Sequence, residues 1–372
     1  MKDRIKTSPR IAALSLALPL LACSASQESE PRPDPENPAE VNPFAPGDLE
    51  DAASALFEAL GDDVDPSGVK IAVVANRHSN YWTPAQIGTG RAASAIGCFA
   101  TFDATSDGES SSQVEILNRK VEQGFVGISV SAIDAVDVES AVAPAMDSDV
   151  NVITFDSDAA GGSKRLLYLG TVNYEAGFAA GEKMVELLGD EGGQVAAFAG
   201  LSTAANAQER IQGIEDAFQG TEVELVQSYF DEIDFDVARQ NVEDALDEYA
   251  DLAGVIGVYA YNGPIALGVL EEQDKVGAMK LVAFDLDVGT LDGLAAGKVD
   301  AAIGQRPYWM GFLSVYILYA MHALGLEETM SLLEPWISGS NGDVFSTGQD
   351  IVTPDTIELY RAYLAELGIS SS

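Results

Sequence analysis

From Lys70 onward, short apolar runs rich in β-branched residues alternate with stretches whose apolar positions recur every three to four residues. The first series reads "KIAVVAN", helix over 83–96, "CFATFDA", helix over 112–123, "FVGISVS", helix over 134–146, then "NVITFD". After "LLYLG" the pattern restarts: helix over 175–188, "GQVAAFAG", helix over 204–218, "VELVQSYF", helix over 236–249, "GVIGVYA", helix over 264–272, "KLVAFD", helix over 289–296 and "DAAIGQ". Strands that are apolar on both faces and alternate with helices predict parallel sheets covered on both sides. Right-handed crossovers then wind each sheet doubly. The expected fold is therefore α/β, with two doubly wound lobes facing each other. In such sheets ligands bind beyond the carboxyl ends of the strands, so residues at strand ends are the ones to inspect.

Two of those ends carry the same Phe-Asp-x-Asp. Asp156 follows Phe155 in "NVITFDSDA", and Asp285 follows Phe284 in "KLVAFDLD". A carboxylate offers two acceptor oxygens to neighbouring hydroxyls, yet buried in a cleft it is costly unless donors satisfy it. Helix capping is the competing role, and Asp158 and Asp287 are the better candidates for that. Tyr81 and Trp82, adjacent in the loop after the first strand, suit a flat ligand face or the C–H face of a sugar, or else pack the lobe. Asn262 in "VYAYNGP" and Gln305 in "AAIGQRP" end further strands, and each amide both donates and accepts. Arg210 is a lone cation in "NAQERIQGIEDAF". It either enters the cleft, where its guanidinium can fork across two oxygens, or forms a surface pair with Glu209 or Asp216.

Charge removes several function classes. The chain of 372 residues holds 59 acidic against 20 basic residues, a net charge of −39, so nucleic acid is a poor partner. No H-E-x-x-H spacing surrounds His78 or His322, and no G-x-S-x-G elbow occurs, so neither a metal site nor a cofactor is expected. Gly88-x-Gly90-x-x-Ala93 imitates a dinucleotide fingerprint but starts about a dozen residues past the strand, too late to place a pyrophosphate on a helix N-terminus.

The first residues are a targeting signal. Lys2, Arg4, Lys6 and Arg10 precede the apolar run "IAALSLALPLLA", too short to span a membrane, which ends in Leu20-Leu21-Ala22-Cys23. Cleavage after residue 22 removes four cations and one anion, leaving the mature chain near −42. Cys98 is then the one other cysteine and reads as a small buried hydrophobe. Residues 23–68 carry six prolines between 31 and 46 and read as an acidic tether, with a short amphipathic helix over 48–60.

Taken together, "SNYWTPAQIGTG", "NVITFDSDA", "SKRLLYLGTVNYEAGFAAGE", "NAQERIQG", "VYAYNGPIALG", "LVAFDLD" and "AAIGQRP" resemble the bacterial type I periplasmic binding proteins of the ribose/galactose-binding family, over about 70–367. Leu20 to Cys23 resembles a lipobox, with Cys23 lipidated. The resemblance implies a periplasmic binding protein-like fold with a hinge of three crossover segments, near Thr171, Gln305 and "SGSNGDVF". One lobe would comprise 69–171 plus 306–336, the other 172–305 plus 337–367. It also implies a ligand-binding set of Tyr81, Trp82, Asp156, Thr171, Arg210, Phe235, Asn262, Asp285 and Gln305. The implied role is the solute-binding component of an ABC sugar importer: a monomer without enzymatic activity, lipid-anchored in the periplasm or at the cell surface, that delivers one monosaccharide to an inner-membrane permease. A sugar or furanosyl-signal sensor with the same fold is the alternative, and a glycosidase using Asp156 and Asp285 is a further one. Ribose binders carry Arg directly after the first Asp, whereas Ser157 stands here, which removes that cation.

Overall fold

A computed structural model of the chain describes residues 42–61, 64–202, 204–339 and 342–370. The signal sequence, Cys23 and residues 24–41 of the tether lie outside the described residues. The first described helix is α1 (Gly47–Leu60). There follow β1 (Lys70–Ala75), α2 (Thr83–Ile96), β2 (Phe99–Ala104), α3 (Ser110–Glu122), β3 (Gly127–Val130), α4 (Glu139–Met146), β4 (Asn151–Phe155) and β5 (Tyr168–Gly170). The second series is α5 (Asn173–Leu188), β6 (Gly193–Ala199), α6 (Ala205–Phe218), β7 (Val223–Phe230), α7 (Phe235–Glu248), β8 (Leu252–Gly257), α8 (Asn262–Glu272), β9 (Lys280–Phe284), α9 (Val288–Ala295) and β10 (Ala301–Gly304). The chain ends with α10 (Pro307–Ala323), α11 (Leu326–Leu333), β11 (Ile337–Ser338), β12 (Val344–Ser346), β13 (Asp350–Val352) and α12 (Ile357–Glu366).

Two sheets result, ordered β11-β12-β5-β4-β3-β1-β2 and β13-β10-β9-β8-β6-β7. Leaving aside β11 and β12 in one sheet and β13 in the other, each runs second, first, third, fourth, fifth strand of its own series. This is a doubly wound order with its switch point beside the first strand. All pairings within these five-strand sets are parallel. The identical order makes β4 and β9 equivalent, so Asp156 and Asp285 end the same strand in each lobe.

Three segments cross between the sheets: 171–172 after β5, 305–306 after β10, and 347–349 between β12 and β13. The third lies later than the expected "SGSNGDVF", because β11 and β12 pair into the first sheet, with Val344 beside Tyr168. Residues 337–338 and 344–346 therefore belong to the first lobe. Side chains tie the crossings together. The Thr171 hydroxyl donates to the Gly348 carbonyl (3.1 Å), and Arg306 reaches the Thr347 carbonyl (3.1 Å) and Asp350 (2.7 Å).

The tether is shorter than the composition suggests. In α1, Leu49, Ala52, Ala53, Leu56 and Leu60 are buried against α10 and α11, because that spacing makes one apolar stripe. Just before it, Asn42 donates to the Leu359 carbonyl (3.1 Å) and the Phe44 ring meets Tyr360 edge-on at 5.0 Å. Those contacts are on α12, which Arg361 joins to Asp292 of α9 in the second lobe. The segment 42–60 thus bridges both lobes behind the hinge. Helix α10 is buried from Tyr308 through Met321, enclosed by the first sheet, α1, α2 and α11.

Close helix crossings recur in both lobes. A Cβ on Gly88 would collide with the Tyr308 carbonyl, and one on Gly177 with the Arg210 carbonyl. Gly88 of the apparent dinucleotide fingerprint is therefore the contact that lets α2 reach α10. Gly177 does the same for α5 and α6, the helix that carries Arg210. Gly177→Ala is expected to cost about 1–3 kcal/mol through overpacking, measured by urea unfolding, and to displace Arg210.

Candidate functional site

Asp156 and Asp285 both stand in left-handed backbone, at φ 58° and 62°. Non-glycine residues adopt this region at a cost that commonly marks functional positions. Neither carboxylate caps a helix. Asp287 takes that role for α9, accepting from the Thr290 N–H. Asp158, expected to cap as well, is instead gripped by the Arg165 fork at 2.9 and 2.7 Å, since no helix follows β4 directly.

Asp156 is 8% exposed. Its Oδ2 accepts from the Ser131 hydroxyl (2.8 Å) and its Oδ1 from the Tyr81 hydroxyl (3.3 Å). Burial pushes its carboxyl up to about 6, with the Ser131 hydrogen bond, Arg210 and the Tyr81 contact opposing the rise and Asp285 adding to it. Asp285 is 6% exposed and accepts from the Gln305 amide at 2.9 Å. Burial raises its carboxyl too, against the pull of Arg210 and Gln305. The Gln305 Oε1 is buried without a partner among the described residues, an acceptor ready for a ligand hydroxyl.

Arg210 is only 3% exposed, so the surface-pair role is set aside. Its partners are neutral: Asn173 Oδ1 and the Val258 carbonyl, each at 3.0 Å. The guanidinium lies over the Phe284 ring, 4.8 Å from its centre. One cation therefore sits within electrostatic range of both carboxylates. The two lobes meet here, because Asp156 belongs to one and Asp285 and Arg210 to the other.

The remaining expected residues divide. Trp82 is 4% exposed and packs edge-on against Phe155 (5.3 Å) and Tyr81 (4.6 Å), its indole N–H on Asn76. Trp82 is a core residue that supports Tyr81. Thr171 is committed to the hinge through Gly348. Phe235 stands 58% exposed on the rim, its ring 4.8 Å from Tyr261. Asn262 is buried, donating to Asp231 (2.8 Å) and accepting from the Tyr259 N–H (3.0 Å).

Sequence reasoning passed over Ser131, Asn173, Tyr261 and Asp231. Ser131 follows β3 directly, so the strand-end criterion alone would have found it. Asp231 follows β7 in the same way but was masked by four acidic residues among 231–236. Two hollows elsewhere on the surface, about 450 Å3 beside Leu324–Ser331 and about 280 Å3 beside Glu215–Leu225, gather no comparable set of buried donors.

Comparison with known proteins agrees with the two-lobed fold. The model of the periplasmic binding protein domain matches residues 71–325. The xylose/arabinose-binding protein XylF of Sulfolobus acidocaldarius is 24% identical over 257 residues, covering 64% of this chain and 62% of that relative's length. The D-allose-binding periplasmic protein of Escherichia coli is 24% identical, over 66% of this chain and 82% of its own. Among solved structures, a sugar-binding protein of a sugar ABC transporter from Bacillus halodurans superposes with a TM-score of 0.69 and 27% identity, covering 78% of this chain and 99% of that one. An ABC transporter solute-binding protein from Burkholderia graminis, in complex with D-arabinose, gives 0.69 and 28%, covering 79% and 98%. With its two lobes of one strand order and a cleft at their strand ends, the chain belongs to the periplasmic binding protein domain family.

Proposed function

We propose that this protein is the solute-binding component of an ABC sugar importer, closing its lobes on one monosaccharide and passing it to a membrane permease. The observation that carries this reading is the pair of buried carboxylates, one per lobe, interleaved with Arg210, Asn262, Gln305 and Tyr81. A polyol matches that set: its hydroxyls donate to Asp156 and Asp285 while accepting from the guanidinium and amides. A small anion would meet two carboxylates against one cation. Hinge closure dries the cleft, where such hydrogen bonds strengthen. The names of the relatives, binders of xylose or arabinose and of allose, and the arabinose in a similar structure, support the ligand class. Cys23 carries the lipid in this reading. With the packed body beginning at Asn42, the tether from Cys23 reaches roughly 65 Å at full extension, less than half of what 23–68 would have allowed.

The raised carboxyls are the one feature shared with a glycosidase pair. Here each carboxylate is held by side-chain donors of its own lobe, and the family's members are binding proteins. Sugar incubated with the protein is therefore expected back unchanged by chromatography; a hydrolysed glycoside would overturn the binding role.

Calorimetric titration against a panel of pentoses and hexoses should find one sugar bound one to one, with the affinity lost by at least about thirtyfold in Asp156→Ala, as truncating a buried charged hydrogen-bonding partner costs about 2–5 kcal/mol or more. No binding across the panel would sink the proposal.

The pH dependence follows from Asp156. Its folded value of about 6 exceeds the ordinary 3.8, so between about pH 4 and 6 the folded protein holds more protons than the unfolded chain. Stability therefore falls as pH rises through that window, and the ionised carboxylate costs on the order of 3 kcal/mol at neutral pH. Sugar hydroxyls favour the ionised form, so affinity is full above about pH 7 and declines as pH falls through 6. Asp156→Asn is expected to raise Tm at pH 7 while weakening binding; a lowered Tm would contradict the sign of the shift.

A further inference from the structure

The loop after β7 holds a second buried carboxylate cluster beside the cleft. Asp231 is 2% exposed, and all its donors come from the second lobe. Its Oδ1 accepts from the Tyr261 hydroxyl (2.5 Å) and the Ile233 N–H (2.9 Å), and its Oδ2 from the Asn262 amide (2.8 Å). The next two residues, Glu232 and Ile233, both lie in left-handed backbone at φ 51° and 64°. For a β-branched residue that conformation is a genuine outlier. Such strain persists only where surrounding contacts over-determine it, and the Ile233 N–H to Asp231 bond is one of them. The strained turn leads into Asp234, which caps α7, and places Phe235 on Tyr261.

The consequence for Asn262 is specific. Its Nδ2 donates to the Asp231 carboxylate, and its Oδ1 accepts from the Tyr259 N–H. Rotating the amide by half a turn would set its carbonyl against a carboxylate and its N–H against another N–H. Two hydrogen bonds would become two repulsions, so only one orientation survives. One N–H and one lone pair then remain for a ligand, with their positions fixed. A neutral acceptor in place of the carboxylate would hold the amide less firmly.

Resting on the sugar-binding reading, we infer that Asp231 is a positioning residue of the site: it locks the Asn262 amide in one orientation, so that a fixed donor and acceptor meet one sugar hydroxyl and discriminate against sugars that lack it. Tyr261 steadies the carboxylate from its other oxygen.

The test is a double-mutant cycle on the full chain, read by calorimetry with the sugar the panel identifies and its monodeoxy analogues. Asp231→Asn should weaken binding ten- to a hundredfold and narrow the gap between the sugar and the analogue lacking the contacted hydroxyl. On an Asn262→Ala background the same substitution should cost nothing further, because its target is gone. Wild-type affinity in Asp231→Asn, or losses that multiply in the double variant, would overturn the inference, since a general structural role weakens binding whatever stands at 262. Should Asp231→Asn fail to fold, Tyr261→Phe runs the same cycle with a loss of severalfold, again absent beside Asn262→Ala. If the wild type binds no sugar, the sugar-binding reading itself has failed and this inference falls with it; if the wild type binds and the cycle is additive, only the inference fails.

Discussion

Two carboxylates buried between two lobes are the constraint on which the rest of this structure depends. Removed from water, each is held in its charged form only by donors fixed in advance. Ser131 and Tyr81 serve Asp156, Gln305 serves Asp285, and Arg210 offsets both. That supply is incomplete, as the raised carboxyls show, and the shortfall is what a ligand rich in hydroxyl groups can make good. Stability is thus given up at the site, and a bound ligand of that kind would recover it.

The body around the cleft keeps this arrangement movable without letting it loosen. Three crossings join the lobes, and Thr171 and Arg306 bind them to one another with hydrogen bonds to the third. Behind them, Trp309 of α10 donates to Tyr363 of α12 at 2.8 Å, and the segment 42–60 lies across helices of both lobes. Motion at the cleft must therefore be accommodated in a back face that is aromatic and packed.

Repetition organises the molecule at every level. The same five-strand order occurs twice, the same left-handed aspartate ends the fourth strand of each, and a glycine in each lobe lets two helices touch. Single features mislead when taken apart from this plan. Gly88-x-Gly90 resembles a nucleotide motif but serves helix contact, and Asp158 resembles a cap but serves Arg165.

Period and strand-end position made the fold and much of the site legible. The alternation of apolar runs and helical stretches determined the two series, since each strand must be apolar on both faces to lie inside a parallel sheet. The Phe-Asp pairs and Gln305 could be found because a residue directly after a strand is placed by that strand, whereas Asn262, read as a strand end, opens α8 five positions past β8. What the sequence could not decide were the relations between distant segments. Whether Arg210 faces solvent or the cleft depends on how closely α5 approaches α6, and whether Trp82 or Tyr81 reaches Asp156 depends on the packing of Phe155. Residues 42–60 read as tether because their apolar stripe has no local partner; α10 and α11, more than two hundred residues away, supply it. Asp231 was one acid among several until the fold buried it against Asn262 and Tyr261. Local periodicity is written in neighbouring residues, whereas burial is a property of what the rest of the chain brings alongside.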